Sequence, residues 1–287
     1  MENLNILFTL FPWSLIAGVM ISAICSALGV YVILKRMVFI GIALSEAAAL
    51  GIACGMIFGI PTFATSSALT LAFGVGLSRP YENGRLPREA ILGVLFSTAG
   101  ALSILLVSKA GLGLEEIKAL LYGDLILTRL SDLTIGLTVF APVVILLLLF
   151  RRPILYTFLD RESARILGIS VAFWELVYFA SLSLVVAASA RVAGAMLVFA
   201  YLIIAPSAAL LASRRLRVVV PLSIGISVVC TLAGIYGALA LDLPANQLIV
   251  ALLAASIAMV WMFRIRSFNR PCRYRAALPA GTESSPE

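Results

Sequence analysis

The chain has 287 residues, of which 62% are hydrophobic and only 12% charged, too little polar surface to clothe a soluble domain of that size. Its net charge of +7 does not mark a nucleic-acid binder, because the basic residues fall between apolar segments rather than along one face. Apolar stretches of about twenty residues recur throughout, the length a helix needs to cross roughly 30 Å of hydrocarbon, so the fold class is an all-α, polytopic bundle in a lipid bilayer.

The predicted spans are 12–34, 38–58, 62–77, 89–108, 133–150, 170–190, 193–212, 218–240 and 246–263. That is about nine crossings, with eight as the alternative count. The N-terminal stretch MENLNILFTLFPW has no basic region, so the first span is expected to stay and act as its own insertion signal. Cys25, Cys54 and Cys230 fall inside spans and Cys272 in a basic tail, a pattern that does not read as a disulfide framework. Of the 21 basic residues, only Lys109, Lys118, Arg129 and Arg191 fall in one set of alternate loops; the rest share the other set and the C-terminal tail. Positive charge gathers on the cytoplasmic side, which predicts the N-terminus outside and the C-terminus in the cytoplasm. Residues 1–263 thus read as one transmembrane domain and 264–287 as a cytoplasmic tail, basic and then polar (ALPAGTESSPE), expected to be disordered.

Segment 109–131 fits no span. Its apolar run, 117–127, is too short to cross and too apolar for an ordinary loop. A re-entrant or interfacial half-helix buried in protein is one reading, and an outer loop lying on the membrane the other.

The chain contains no histidine, which excludes Ser-His hydrolysis, His-based metalloprotease motifs and His-ligated haem. No G-x-x-x-x-G-K-[ST] occurs either, so the chain carries no ATPase motif of its own. Transport readings remain and enzyme readings fall away.

Glu46 is the one ionisable residue near the middle of a span. A carboxylate there costs about 2.5–3.5 kcal/mol on insertion scales, so it faces a pathway, or it is a protonated group hydrogen-bonded between helices. Beside it, Ala43, Ala47, Gly51, Gly55 and Gly59 recur every fourth residue and form a small-residue face for a closely packed neighbour. Ser45 and Glu46 are therefore the candidate lining of a translocation path, with Glu46 as its metal-ligating group. Glu175, a turn and a half inside its span, is read as a structural residue reaching the interface. Pro206 is expected to kink the seventh span. In the loop 160–170, DRESARILGIS, Asp160, Arg161, Glu162 and Arg165 alternate with Ala164, Ile166 and Leu167. As a helix this is two turns, capped by Asp160 and Gly168. Such a helix lies on lipid or docks into a groove on a soluble partner.

At these residues the sequence resembles the ABC-3 family of metal-uptake permeases, from about residue 15 to 260. The resemblance is carried by LGVYVILKRMVFIGIALSEAAALG (28–51), ALLYGDLILTRLSDL (119–133), DRESARILGIS (160–170), VAGAMLVFAYLIIAPSAALL (192–211) and DLPANQLIV (242–250). It implies the membrane permease of a bacterial inner-membrane importer, without a permanently bound cofactor, that moves divalent manganese, iron or zinc. The partners implied are a cytoplasmic ABC ATPase dimer, a second permease subunit (the same or a related chain) and an extracytoplasmic metal-binding protein. The resemblance assigns ATPase coupling to Asp160, Arg161, Glu162, Ala164, Arg165, Leu167 and Gly168. In one respect the chain departs from the family. Where the family's second helix reads G-D-A-L-S-H-A, this chain has Gly41-Ile42-Ala43-Leu44-Ser45-Glu46-Ala47, a single carboxylate without imidazole. An oxygen ligand suits Mn²⁺ or Fe²⁺ better than Zn²⁺. The competing readings are a stand-alone secondary transporter or channel for a small cation, and a membrane scaffold.

Overall fold

Hydrocarbon leaves the backbone one economical way to satisfy its own polar groups in a chain of this kind, and all regular structure among the described residues is helical. The computed structural model describes residues 12–78, 87–109, 123, 125, 128, 130–159, 161–213 and 215–268. Ten helices follow in order among them: α1 (Pro12–Leu34), α2 (Phe39–Phe58), α3 (Thr62–Ser78), α4 (Arg88–Lys109), α5 (Leu130–Leu149), α6 (Arg151–Leu159), α7 (Arg161–Ile166), α8 (Val171–Ala212), α9 (Leu216–Leu241) and α10 (Ala245–Phe268). Seven of these, α1, α2, α4, α5, α8, α9 and α10, are long and apolar enough to cross a membrane, and α3 is a shorter apolar helix.

One of the seven crosses twice. A straight helix of the 42 residues of α8 would run about 63 Å, twice the hydrocarbon thickness. Yet Tyr178 donates its hydroxyl to the Leu28 carbonyl of α1 at 2.8 Å, while Leu202 presses its own carbonyl against neighbouring Gly29. The chain must fold back between them, and it does so at Gly194 (φ 77, ψ 160), the single non-helical residue inside α8. Such a backbone is open to glycine and essentially closed to other residues. The two spans expected at 170–190 and 193–212 are thus the arms of a hairpin with almost no loop. With α3 this agrees with about nine crossings. Pro206 lies within the second arm at helical dihedrals, so the sharp break falls at Gly194 and not at the proline.

Around this hairpin the bundle closes. α8 packs on α1, α2, α3, α9 and α10, and the core draws Leu28, Ile40, Leu44, Tyr178, Leu182, Tyr201 and Leu202 together. α2 is buried almost all round, whereas α4, α5 and α10 present most of their surface outward, as lipid-facing helices do. Polar side chains act as glue between α1 and α9: the Ser227 hydroxyl lies 3.1 Å from the Ser22 carbonyl and 3.0 Å from the Ser26 hydroxyl, within hydrogen-bonding reach of both. At one end of the bundle lie Lys35, Arg151, Arg165 and Arg215; at the other, Arg191 of α8 pairs with Asp132 of α5 at 3.2 Å.

One expectation changes. Residues 151–159, read as loop, form α6: Pro153 sits in its first turn, where a missing donor is tolerated, and Ile154, Thr157 and Phe158 turn inward. Most of the 117–127 segment lies outside the described residues. Leu125 is fully buried in the core, and Gly123 abuts the backbone of Ala193 and Gly194.

Candidate functional site

Glu46 sits in the middle of α2, the most enclosed span, and its side chain is turned toward α4. A Cβ placed on Gly100 would stand 3.2 Å from Glu46 Oε2, so the missing side chain at 100 is what gives the carboxyl its room. Oε2 is buried and has no hydrogen-bond partner among the described residues. Gly100 has no signal in the sequence, because its role exists only opposite Glu46.

Ser45 is fully buried and donates to the Gly41 carbonyl at 2.9 Å, a back-bond within its own helix. It lies beside the site with its proton already engaged. Of the small-residue face, Ala43 and Ala47 are fully buried, and Gly51 and Gly55 bring α2 onto α3. A methyl on Gly51 would run into the Ser66 backbone, and one on Gly55 would stand 2.8 Å from the Thr62 Cα. Gly59 does something else. It ends α2 in the left-handed conformation (φ 67) with open space about it, a helix cap rather than a packing residue. Among the described residues no group of three His, Cys, Asp or Glu side chains converges on a point that would hold a metal ion. Glu46 therefore belongs to no such group among the described residues.

At the basic end, α6 and α7 stand beside the start of α8. α7 closes with a paired cap: Ile169 N–H donates to Ala164 O at 2.9 Å and Gly168 N–H to Arg165 O at 3.0 Å, with Gly168 at φ 74. Ala164 is fully buried and holds the helix down, so it is an anchor and not a contact residue. The outward positions are Ile166 (86% exposed) and Leu167 (64%), with Glu162 and Arg165 beside them. Asp160 and the side chain of Arg161 lie outside the described residues.

Glu175 does not reach the interface. Its carboxylate is buried and pairs with Lys35 at 2.9 Å, the ammonium lying 4.5 Å from the Phe179 ring centre and 4.9 Å from that of Phe158. Sequence reasoning placed Lys35 among loop charges, and nothing local in LKRM marks it as the partner of Glu175. Beside the pair opens a cavity of about 710 Å³ bordered by Lys35, Arg36, Glu89, Phe158, Leu159 and Glu162.

Set against known proteins, residues 8–264 match the family model described as the ABC 3 transport family. The chain is 28% identical over 251 residues to the manganese transport system membrane protein MntC of Halalkalibacterium halodurans, covering 87% of this chain and 86% of that one. It is 26% identical over 234 residues to the high-affinity zinc uptake system membrane protein ZnuB of Haemophilus influenzae, covering 81% and 87%. Among solved structures, PsaBC from Streptococcus pneumoniae in complex with Fab has the same fold: TM-score 0.81, 23% identity, 91% of this chain and 94% of that chain covered.

Proposed function

Because the chain belongs to the ABC 3 transport family, we propose that it is the membrane permease of an ATP-driven importer for divalent transition-metal ions, with manganese, iron and zinc as candidate cargo. The observation that carries this reading is the extent of the family match, 8–264, which takes in α1 to α9 whole and most of α10. Lacking a P-loop, the chain takes its energy from a separate pair of ABC ATPases. They dock on α7, where Ile166 and Leu167 stand exposed on a short helix anchored through Ala164. That exposed apolar pair favours an ATPase-coupled permease over a stand-alone carrier or channel. A second permease subunit completes the path, and an extracytoplasmic metal-binding protein delivers the ion. In this reading the basic end faces the cytoplasm of a bacterium across its inner membrane.

Glu46 is the proposed way-point of the cation. Its free Oε2, buried against Gly100, offers a hard oxygen ligand, and in a pair of identical chains two such carboxylates would share one divalent ion whose charge offsets their repulsion. So few ligands bind weakly, which suits a path the ion must also leave. The test is uptake of Mn²⁺, Fe²⁺ and Zn²⁺ into proteoliposomes holding the chain with its ATPase. Glu46→Gln should cut ATP-dependent uptake at least tenfold with an unchanged yield of folded complex. Uptake at the normal rate would make Glu46 a structural residue; a wild-type complex that moves none of the three ions would remove the importer reading itself.

A further inference from the structure

A lysine and a glutamate taken out of water together are a costly way to join two helices, since an apolar pair of similar size would do as well or better. Glu175 is nonetheless buried and the Lys35 side chain only 9% exposed, the two 2.9 Å apart at a junction of four elements. Lys35 opens the turn from α1 to α2; Glu175 belongs to α8; Phe158, under the ammonium, belongs to α6, three residues before α7. Phe158 also packs edge-on to Tyr178 with ring centres 4.7 Å apart, and Tyr178 is tied to the Leu28 carbonyl.

The turn that carries Lys35 is short and stiff. Arg36 is left-handed (φ 58), Met37 N–H bonds back to Val32 O at 3.3 Å, and Ile40 N–H to Met37 O at 3.1 Å. A displacement at Lys35 therefore passes into α2, whose Glu46 lies about 10 Å further along the helix axis. Meanwhile the cavity of about 710 Å³ between this turn, α4 and α6–α7 leaves α6 space to shift without a clash.

We propose that Lys35 is a positioning residue that makes α2, and with it Glu46, follow the movement of α6–α7, through its grip on Glu175 and the Phe158 ring. The inference rests on the ATP-driven reading above. Coupling here runs through a contiguous chain of contacts: α7, Phe158, Lys35, the α1–α2 turn, Glu46.

The experiment compares ATP hydrolysis with uptake of Mn²⁺, Fe²⁺ or Zn²⁺, whichever the wild type moves, in the same proteoliposomes of the full complex. The variant is Lys35→Met combined with Glu175→Gln, which removes both charges of the pair together and keeps the volume. Expected is a normal yield of complex and ATP hydrolysis within twofold of wild type, with ions moved per ATP reduced tenfold or more. An unchanged ratio would overturn the inference and leave the importer reading standing. Phe158→Leu, which removes the ring but not the apolar bulk, should lower the same ratio. Retained coupling in that variant, or failure of both variants to assemble, would show the pair to be a structural tie and sink the proposal. A wild-type complex without ATP-dependent uptake would overturn both readings.

Discussion

Across the α2–α4 contact the carboxyl of Glu46 occupies the space that a side chain at position 100 would claim. Enlarging that residue should therefore act on Glu46 without touching its charge. Gly100→Leu is expected to push the carboxyl aside and reduce metal uptake about as far as Glu46→Gln does, and Gly100→Ala to do so more mildly, since its methyl would stand 3.2 Å from Oε2. Uptake rates normalised to complex yield on size-exclusion chromatography would check this, and normal uptake in Gly100→Leu would show that the carboxyl does not need its present place. Hydropathy alone exposes Glu46, because a lone charge in a long apolar run is costly wherever the helix packs. Gly100 and the Lys35–Glu175 pair were hidden for a shared reason. Their roles arise between helices distant in sequence, and neither LKRM nor a single glycine carries a local trace of its partner.

At the scale of elements, α7 separates inward from outward positions that a sequence pattern merges. Alternation of charged and apolar residues marks 160–168 as a short amphipathic helix, but which apolar residue faces inward depends on what α7 packs against. Ala164 faces in; Ile166 and Leu167 face out. Ile166→Asp and Leu167→Asp should weaken co-purification of the ATPase while leaving the permease folded. Ala164→Glu, by contrast, should lower the yield of folded permease itself, because it buries an uncompensated charge. Equal loss of permease from all three would argue that α7 lies on lipid and docks nothing. The α8 hairpin makes the same point about turns. A break near 191–193 was legible from the lengths of the apolar runs, whereas its placement on Gly194 depends on a φ/ψ region open only to glycine, and Gly123 packed against it leaves no room for a looser loop. Gly194→Ala should cost about 1–3 kcal/mol from the backbone alone, read as a lower melting temperature of the detergent-purified chain. α6 escaped notice because two arginines and a proline head it, although Ile154, Thr157 and Phe158 follow at helical spacing.

For the whole molecule, the arrangement of helices fixes which loops share an end but not which end faces the cytoplasm. Arg215 precedes α9 and Asp242 caps its far end, so the two lie on opposite sides of a helix of 26 residues, about 39 Å long. Lys35, Arg151 and Arg165 gather with Arg215, while Arg191 and its partner Asp132 lie with Asp242. Retention of arginine and lysine on the cytoplasmic side during insertion then predicts that the Arg215 end is inside. In a background with Cys25, Cys54, Cys230 and Cys272 replaced, single cysteines at Arg215 and Asp242, both exposed, report the two ends. A membrane-impermeant maleimide added to spheroplasts of cells expressing the chain should label Asp242→Cys at once. Arg215→Cys should react only after the membrane is breached. The reverse result would invert the bundle. It would place α7 and its exposed Ile166 and Leu167 outside the cell, away from any ATPase, and remove the docking role proposed for them.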